Sequence, residues 1–270
     1  MLGKLIKNDF KASAHSLLGI YLIAIAIGVF TALSYAFESL AIIQGIGTVA
    51  LLILSFAVLI IPVFKILTYF NESLYSNQGY LSYTLPVKSR DMLFSKAVVS
   101  FAWITLGFSM YIGIYVFVIK YFFGKMDPAI LEQLELIYDM IDTLPDKAVL
   151  VKVIVVIIAV FFFEILVIVS QIFFAMTLSN IKPFNQLGNA SGFLLFMGIF
   201  VAMFYIFIQL TQYFPLSLFI SSGTVKVVTE AMYGTSGTLI GLAGIIFQFI
   251  CAAGMFVSTN YLMKKKINIK

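Results

Sequence analysis

Six long apolar stretches, at roughly residues 17–37, 42–70, 97–123, 149–178, 192–211 and 238–263, take up most of this 270-residue chain. About 20 apolar residues in a helix cross the ~30 Å of hydrocarbon in a bilayer, and each stretch reaches that length. Backbone in lipid has no water to bond with, so a span must be a helix or part of a closed barrel. Barrel strands would alternate over about ten positions, whereas these runs are continuous. The expected fold is an all-α integral membrane protein with six transmembrane helices, a single membrane domain over residues 1–270.

Composition agrees, with 62% hydrophobic residues, 11% charged and 28 Phe. Soluble domains carry about twice that share of charge. The longest polar stretch, 124–147, is too short to fold as a soluble domain. Cys251 is the only cysteine, so no internal disulfide is available, and its neighbours Ile250 and Ala252 suggest a buried, inert thiol.

Charge distribution sets an orientation. If both termini lie in the cytoplasm, the inner side holds Lys4, Lys7, Lys11, Lys65, Lys88, Arg90, Lys96, Lys182, Lys264, Lys265, Lys266 and Lys270, which is 12 of the 17 basic residues. Its only acids are then Asp9, Glu72 and Asp91, while eight carboxylates fall outside. Basic residues beside helix ends favour the cytoplasmic side, so six spans with both termini inside is the expected topology. Residues 1–14 divide into two faces, with Leu2, Leu5, Ile6 and Phe10 opposite Lys4, Lys7, Asn8 and Lys11. That pattern predicts an interfacial elbow helix lying at the headgroups; a frayed basic tail that only sets orientation is the plainer reading. His15, the only histidine, sits where the elbow would turn into the first span, as a polar anchor more than a ligand or proton relay. The first apolar run is longer than a typical signal-peptide core, which argues against cleavage after 34–36.

Residues 71–96 form the most informative polar stretch. Gly79 offers a turn, Pro86 pushes Leu85 toward extended backbone, and Ser89 or Asp91 can cap the helix that follows. A cytoplasmic loop exposing Tyr80, Leu81, Tyr83 and Leu85 presents anchors for a protein partner; an amphipathic segment resting on lipid is the alternative. In the outer loop 124–147, apolar residues recur every three or four positions among six acids, which predicts an amphipathic helix with a solvated acidic face rather than a cation site. Glu164 falls near the middle of the fourth span. Charge there costs at least about 2.5 kcal/mol, so it should face protein or a wet cavity. Gln171 shares its face, and Gln248 in the sixth span should lie at similar depth, within reach of a hydrogen bond. These three residues either line a substrate or proton path or act as interhelical glue around a protonated carboxyl. Gly188 and Gly192 make a G-x-x-x-G that would let spans four and five, or two subunits, approach closely. Residues 213–237, too apolar for a free loop, should be re-entrant or packed as short helices on the outer side. No Walker motif, metal-ligand spacing, Ser/His/Asp arrangement or basic nucleic-acid surface is present. The chain itself is expected to be neither an ATPase nor another enzyme, to hold no cofactor or metal, and to bind no nucleic acid.

The order of elements resembles the permease subunit of type-2 ATP-binding-cassette (ABC) exporters. The segment G-Y-L-S-Y-T-L-P-V-K-S-R-D-M-L-F-S-K, residues 79–96, is similar to the G-Y-L-x-x-x-L-P-V-x-x-x-x-L-x-x-K of bacterial permeases in that family. The resemblance implies a half-transporter in the bacterial cell membrane, paired with a second permease copy, as a homodimer or with a related permease. A separate ATPase subunit would carry ATP and Mg. By position, Asn77, Gly79, Tyr80, Leu81, Tyr83, Thr84, Leu85 and Pro86 would form or flank the coupling helix, with Lys88 and Arg90 pairing to acids on the ATPase or to anionic lipid. Small permeases of this kind resemble exporters of amphipathic peptides, toxins and hydrophobic drugs, phenol-soluble-modulin exporters among them. Two other classes fit the composition: an ion-coupled secondary transporter using Glu164, and a non-transporting membrane sensor or immunity protein.

Overall fold

The computed structural model describes residues 2–37, 40–75, 79, 87–123, 147–181, 184, 189–214, 216–221, 224–228 and 238–265. Its helices are α1 (Leu2–Ser34), α2 (Ala41–Tyr75), α3 (Ser89–Val118), α4 (Lys147–Ser179), α5 (Asn189–Tyr213) and α6 (Leu242–Lys265), and α3 runs into a π-helical turn, Ile119–Phe123. All six are long and apolar enough to cross a membrane, as in a multi-pass, mainly helical membrane protein. Hydroxyl side chains inside these helices turn back on their own backbone: Thr31, Thr105, Thr177 and Thr259 each donate to the carbonyl four residues earlier at 2.8 Å. A hydroxyl bonded this way carries no unsatisfied donor into lipid.

The expected elbow is not a separate element. α1 passes through His15 without a break, because residues 4–18 contain neither Gly nor Pro and Ser13 and Ser16 bond back to the helix. At 1.5 Å per residue its 33 residues span about 50 Å, well beyond the hydrocarbon thickness. Lys4, Lys7, Asn8 and Lys11 are exposed, as is Phe10, while Leu5 and Ile6 are half-buried. Where 213–237 is described, strands stand in place of the expected short helices. β1 (Ser217–Ser221) pairs antiparallel with β2 (Thr224–Val228) and with β3 (Thr238–Gly241), in the order β2-β1-β3. The β-branched Thr224, Val225, Val227 and Val228 favour a strand. The third strand uses residues that hydropathy alone assigns to the last span.

The chain divides into two compact units, Met1–Tyr69 with Phe94–Met140, and Phe70–Leu93 with Ile141–Lys270. In the first unit, Pro62 sits inside α2 and cannot bond the Val58 carbonyl. Gly107 of α3 packs against that oxygen; a Cβ at Gly107 would stand 2.9 Å from it and 3.4 Å from the Tyr21 hydroxyl. Gly45 meets nothing within 4 Å. Gly107→Ala is therefore expected to be less stable than Gly45→Ala by about 1–3 kcal/mol of overpacking, the helix-propensity gain being common to both. Thermal unfolding of the two variants in one detergent checks this.

In the second unit α4, α5 and α6 pack on one another around Val167, Met203 and Met255, with half-buried Cys251 against this core. Gly192 lets α5 approach α4, since a Cβ there would strike the Met176 sulfur. The close approach of spans four and five is thus realised at Gly192; Gly188 lies outside the described residues.

Candidate functional site

The segment with the strongest sequence pattern is described only at its edges. Asn77, Tyr80, Leu81, Tyr83, Thr84, Leu85 and Pro86 lie outside the described residues, as does the acidic stretch 124–146. Gly79 is helical and lies so close to the Leu74 carbonyl that any Cβ would collide with it. Lys88 opens α3, its carbonyl accepting the amides of Asp91 (2.9 Å) and Met92 (3.2 Å). Asp91 in the first turn complements the helix dipole. The side chains of Lys88 and Arg90 are exposed.

Both ends of this segment are anchored. In the second unit, the last turns of α2 hold α4: Phe70 stacks on Phe173 with centroids 4.1 Å apart. The Tyr75 and Thr177 hydroxyls share a hydrogen bond of 2.8 Å, and Asn180 Nδ2 donates to Asn71 Oδ1 at 2.8 Å. Phe70, Leu74, Tyr75 and Phe173 are all buried.

In the first unit, three helices meet at one buried carboxylate that sequence reasoning had counted only as an inner-side charge. Asp9 of α1 accepts from Tyr69 Oη of α2 (2.8 Å, to Oδ1), from Ser95 Oγ of α3 (2.6 Å, to Oδ2) and from Lys96 Nζ (3.2 Å, to Oδ1). The Lys96 ammonium also lies 4.7 Å from the centre of the Tyr69 ring, a cation–π contact. One turn on, Ser13 donates to the Asp9 carbonyl and accepts from Trp103 Nε1 at 2.9 Å. Trp103 is stacked between Phe10 (4.8 Å) and Tyr21 (5.9 Å), and Tyr21 donates to the Trp103 carbonyl at 3.0 Å. Phe10, expected to face lipid with Leu5 and Ile6, instead packs against this tryptophan while staying 37% exposed. A signal for the hub existed in the sequence: Asp9, Ser13, Leu17 and Tyr21 recur every four residues, the spacing of one helix face.

Glu164, Gln171 and Gln248 belong to the second unit. Gln248 Nε2 approaches Glu164 Oε2 at 3.5 Å, the far limit of a hydrogen bond, linking α6 to α4. Gln171 and Gln248 are buried, and their Oε1 atoms have no partner among the described residues; nor has Asn260 Oδ1. Such orphaned amide oxygens in an apolar core call for water or another donor. Among the described residues no three His, Cys, Asp or Glu side chains come together. In the first unit, an open surface groove of about 380 Å³ is lined only by apolar residues, including Ala24, Gly28, Leu51, Gly113 and Phe117.

Comparison of the chain with protein-family models, with curated proteins and with solved structures finds no match.

Proposed function

We propose that the chain is the membrane-spanning subunit of an ATP-driven exporter of amphipathic peptides, toxins or hydrophobic drugs, in a bacterial cell membrane. A partner ATPase would supply ATP and Mg chemistry, and a second permease copy would complete the path. The observation that carries this reading is the sequence of residues 79–96, placed between the second and third of six apolar spans. An ATPase can move a membrane domain only through an anchored lever, because a loose link would dissipate the motion. The anchoring required is consistent with Phe70, Asn71 and Tyr75 at the start of the segment and with Ser95 and Lys96 at its end. The open apolar groove suits apolar cargo better than a hydrated ion. In inverted vesicles holding this chain and an ATPase subunit from the same locus, ATP is expected to drive uptake of an amphipathic helical peptide. Failure to copurify with that ATPase, or uptake independent of ATP, would refute the proposal.

A second reading has Glu164 beside Gln248 as the coupling site of an ion-driven carrier. Glu164→Gln separates the two. The exporter is expected to keep ATP-driven transport, within a few-fold of wild type, because the amide preserves a hydrogen-bonding group beside Gln248. A carrier would lose ion coupling outright, as flux measured under an imposed proton gradient would reveal.

A further inference from the structure

The first turns of α1 break a local rule. A helix N-terminus carries partial positive charge and favours acids, yet the first turn of α1 holds none, and Lys4, Lys7 and Lys11 follow. At about 100° per residue these lysines and His15 fall within an arc of roughly 80°, on the side of the helix opposite Asp9. All four are exposed. Asp9, the one carboxylate in this part of the helix, is engaged by Lys96, and among the described residues no acid lies within ion-pair distance of the three lysines. Like charges at three- and four-residue spacing repel one another. Nothing among the described residues relieves that repulsion, so an anion from outside the chain is wanted. The same helix face then turns apolar. Leu18, Leu22 and Ile25, exposed at 45%, 61% and 51%, follow the lysines along one stripe, Leu18 and Leu22 about 10 and 16 Å beyond Lys11. Positive charge followed by bare apolar surface, within one leaflet's depth of ~15 Å, has the shape of a phospholipid.

We infer that this stripe is a binding site for anionic phospholipid, with the phosphate held by Lys4, Lys7 and Lys11 and the acyl chain lying over Leu18 and Leu22. The Asp9 hub fixes the rotation of α1 that turns the stripe outward. The site depends on the membrane reading alone, so it stands or falls separately from the proposed transport.

The test is native mass spectrometry of the full chain titrated with phosphatidylglycerol or phosphatidylcholine. Wild type is expected to prefer phosphatidylglycerol, and K4Q/K7Q/K11Q to lose that preference by roughly 100-fold in affinity, at about fivefold per lysine. K264Q, a basic change elsewhere, should retain it. Raising ionic strength should weaken the wild-type preference without any mutation, which keeps the test valid if the triple variant folds poorly. A preference that survives both the triple substitution and salt would overturn the site. Competition by millimolar inorganic phosphate equal to that by the lipid would overturn the assignment to a phospholipid in favour of a simple anion site.

Discussion

Asp9→Ala is expected to destabilise the protein by about 3–5 kcal/mol, because it strands the Lys96 ammonium in a buried site. The carboxylate holds three donors from two other helices within 3.2 Å, and neither it nor Lys96 has solvent to fall back on. Lys96→Ala should cost a similar amount by stranding Asp9 instead. The double variant Asp9→Leu with Lys96→Met should recover most of the loss, since buried ion pairs often exchange for apolar contacts at little net cost. Tyr69→Phe removes one hydrogen bond while keeping the ring under the ammonium, and should cost only about 1–2 kcal/mol. Unfolding midpoints in detergent would rank the four variants. Equal losses for the single and double variants would mean that the three helices are held by packing alone and that the charge pair is incidental.

The second large effect concerns partner assembly. Leu81→Ala with Tyr83→Ala is expected to detach the proposed ATPase, because buried aromatic and aliphatic anchors typically contribute about 2 kcal/mol or more each to such contacts. That amounts to roughly a thousandfold loss of affinity for the pair. Thermal unfolding of the permease alone, expected at the wild-type temperature, separates lost docking from lost folding. Copurification and ATPase stimulation in reconstituted vesicles provide the readout. Full retention of the complex would place docking somewhere else.

The contrast between these two predictions reflects what a single sequence makes readable. The six spans were legible because hydropathy is a local, additive property and each run exceeds the bilayer thickness. The approach of Gln248 to Glu164 was also foreseen, since a polar residue at mid-span has few partners to choose from. The Asp9 hub was not, because its members lie 60 to 87 residues apart. In isolation Asp9 looks like one more charge in a basic surface helix, and Lys96 like a lysine reaching for the headgroups. The elbow was misdrawn for a related reason. An amphipathic pattern establishes which face is polar but not where the helix axis bends, and residues 4–18 hold nothing to bend it. The β1–β3 pairing joins residues about 20 apart and takes its third strand from the edge of an apolar run, where strand and span look alike.

The proposed ATP-driven transport requires residues 77–90 to face the cytoplasm. In a Cys251→Ala background, a single cysteine at exposed Lys88 can be challenged with a membrane-impermeant thiol reagent, beside a second variant carrying it at exposed Lys152 near the start of α4. In intact cells only the Lys152→Cys variant is expected to be labelled, and in inverted vesicles only Lys88→Cys. Labelling of Lys88→Cys in intact cells would contradict the proposed transport.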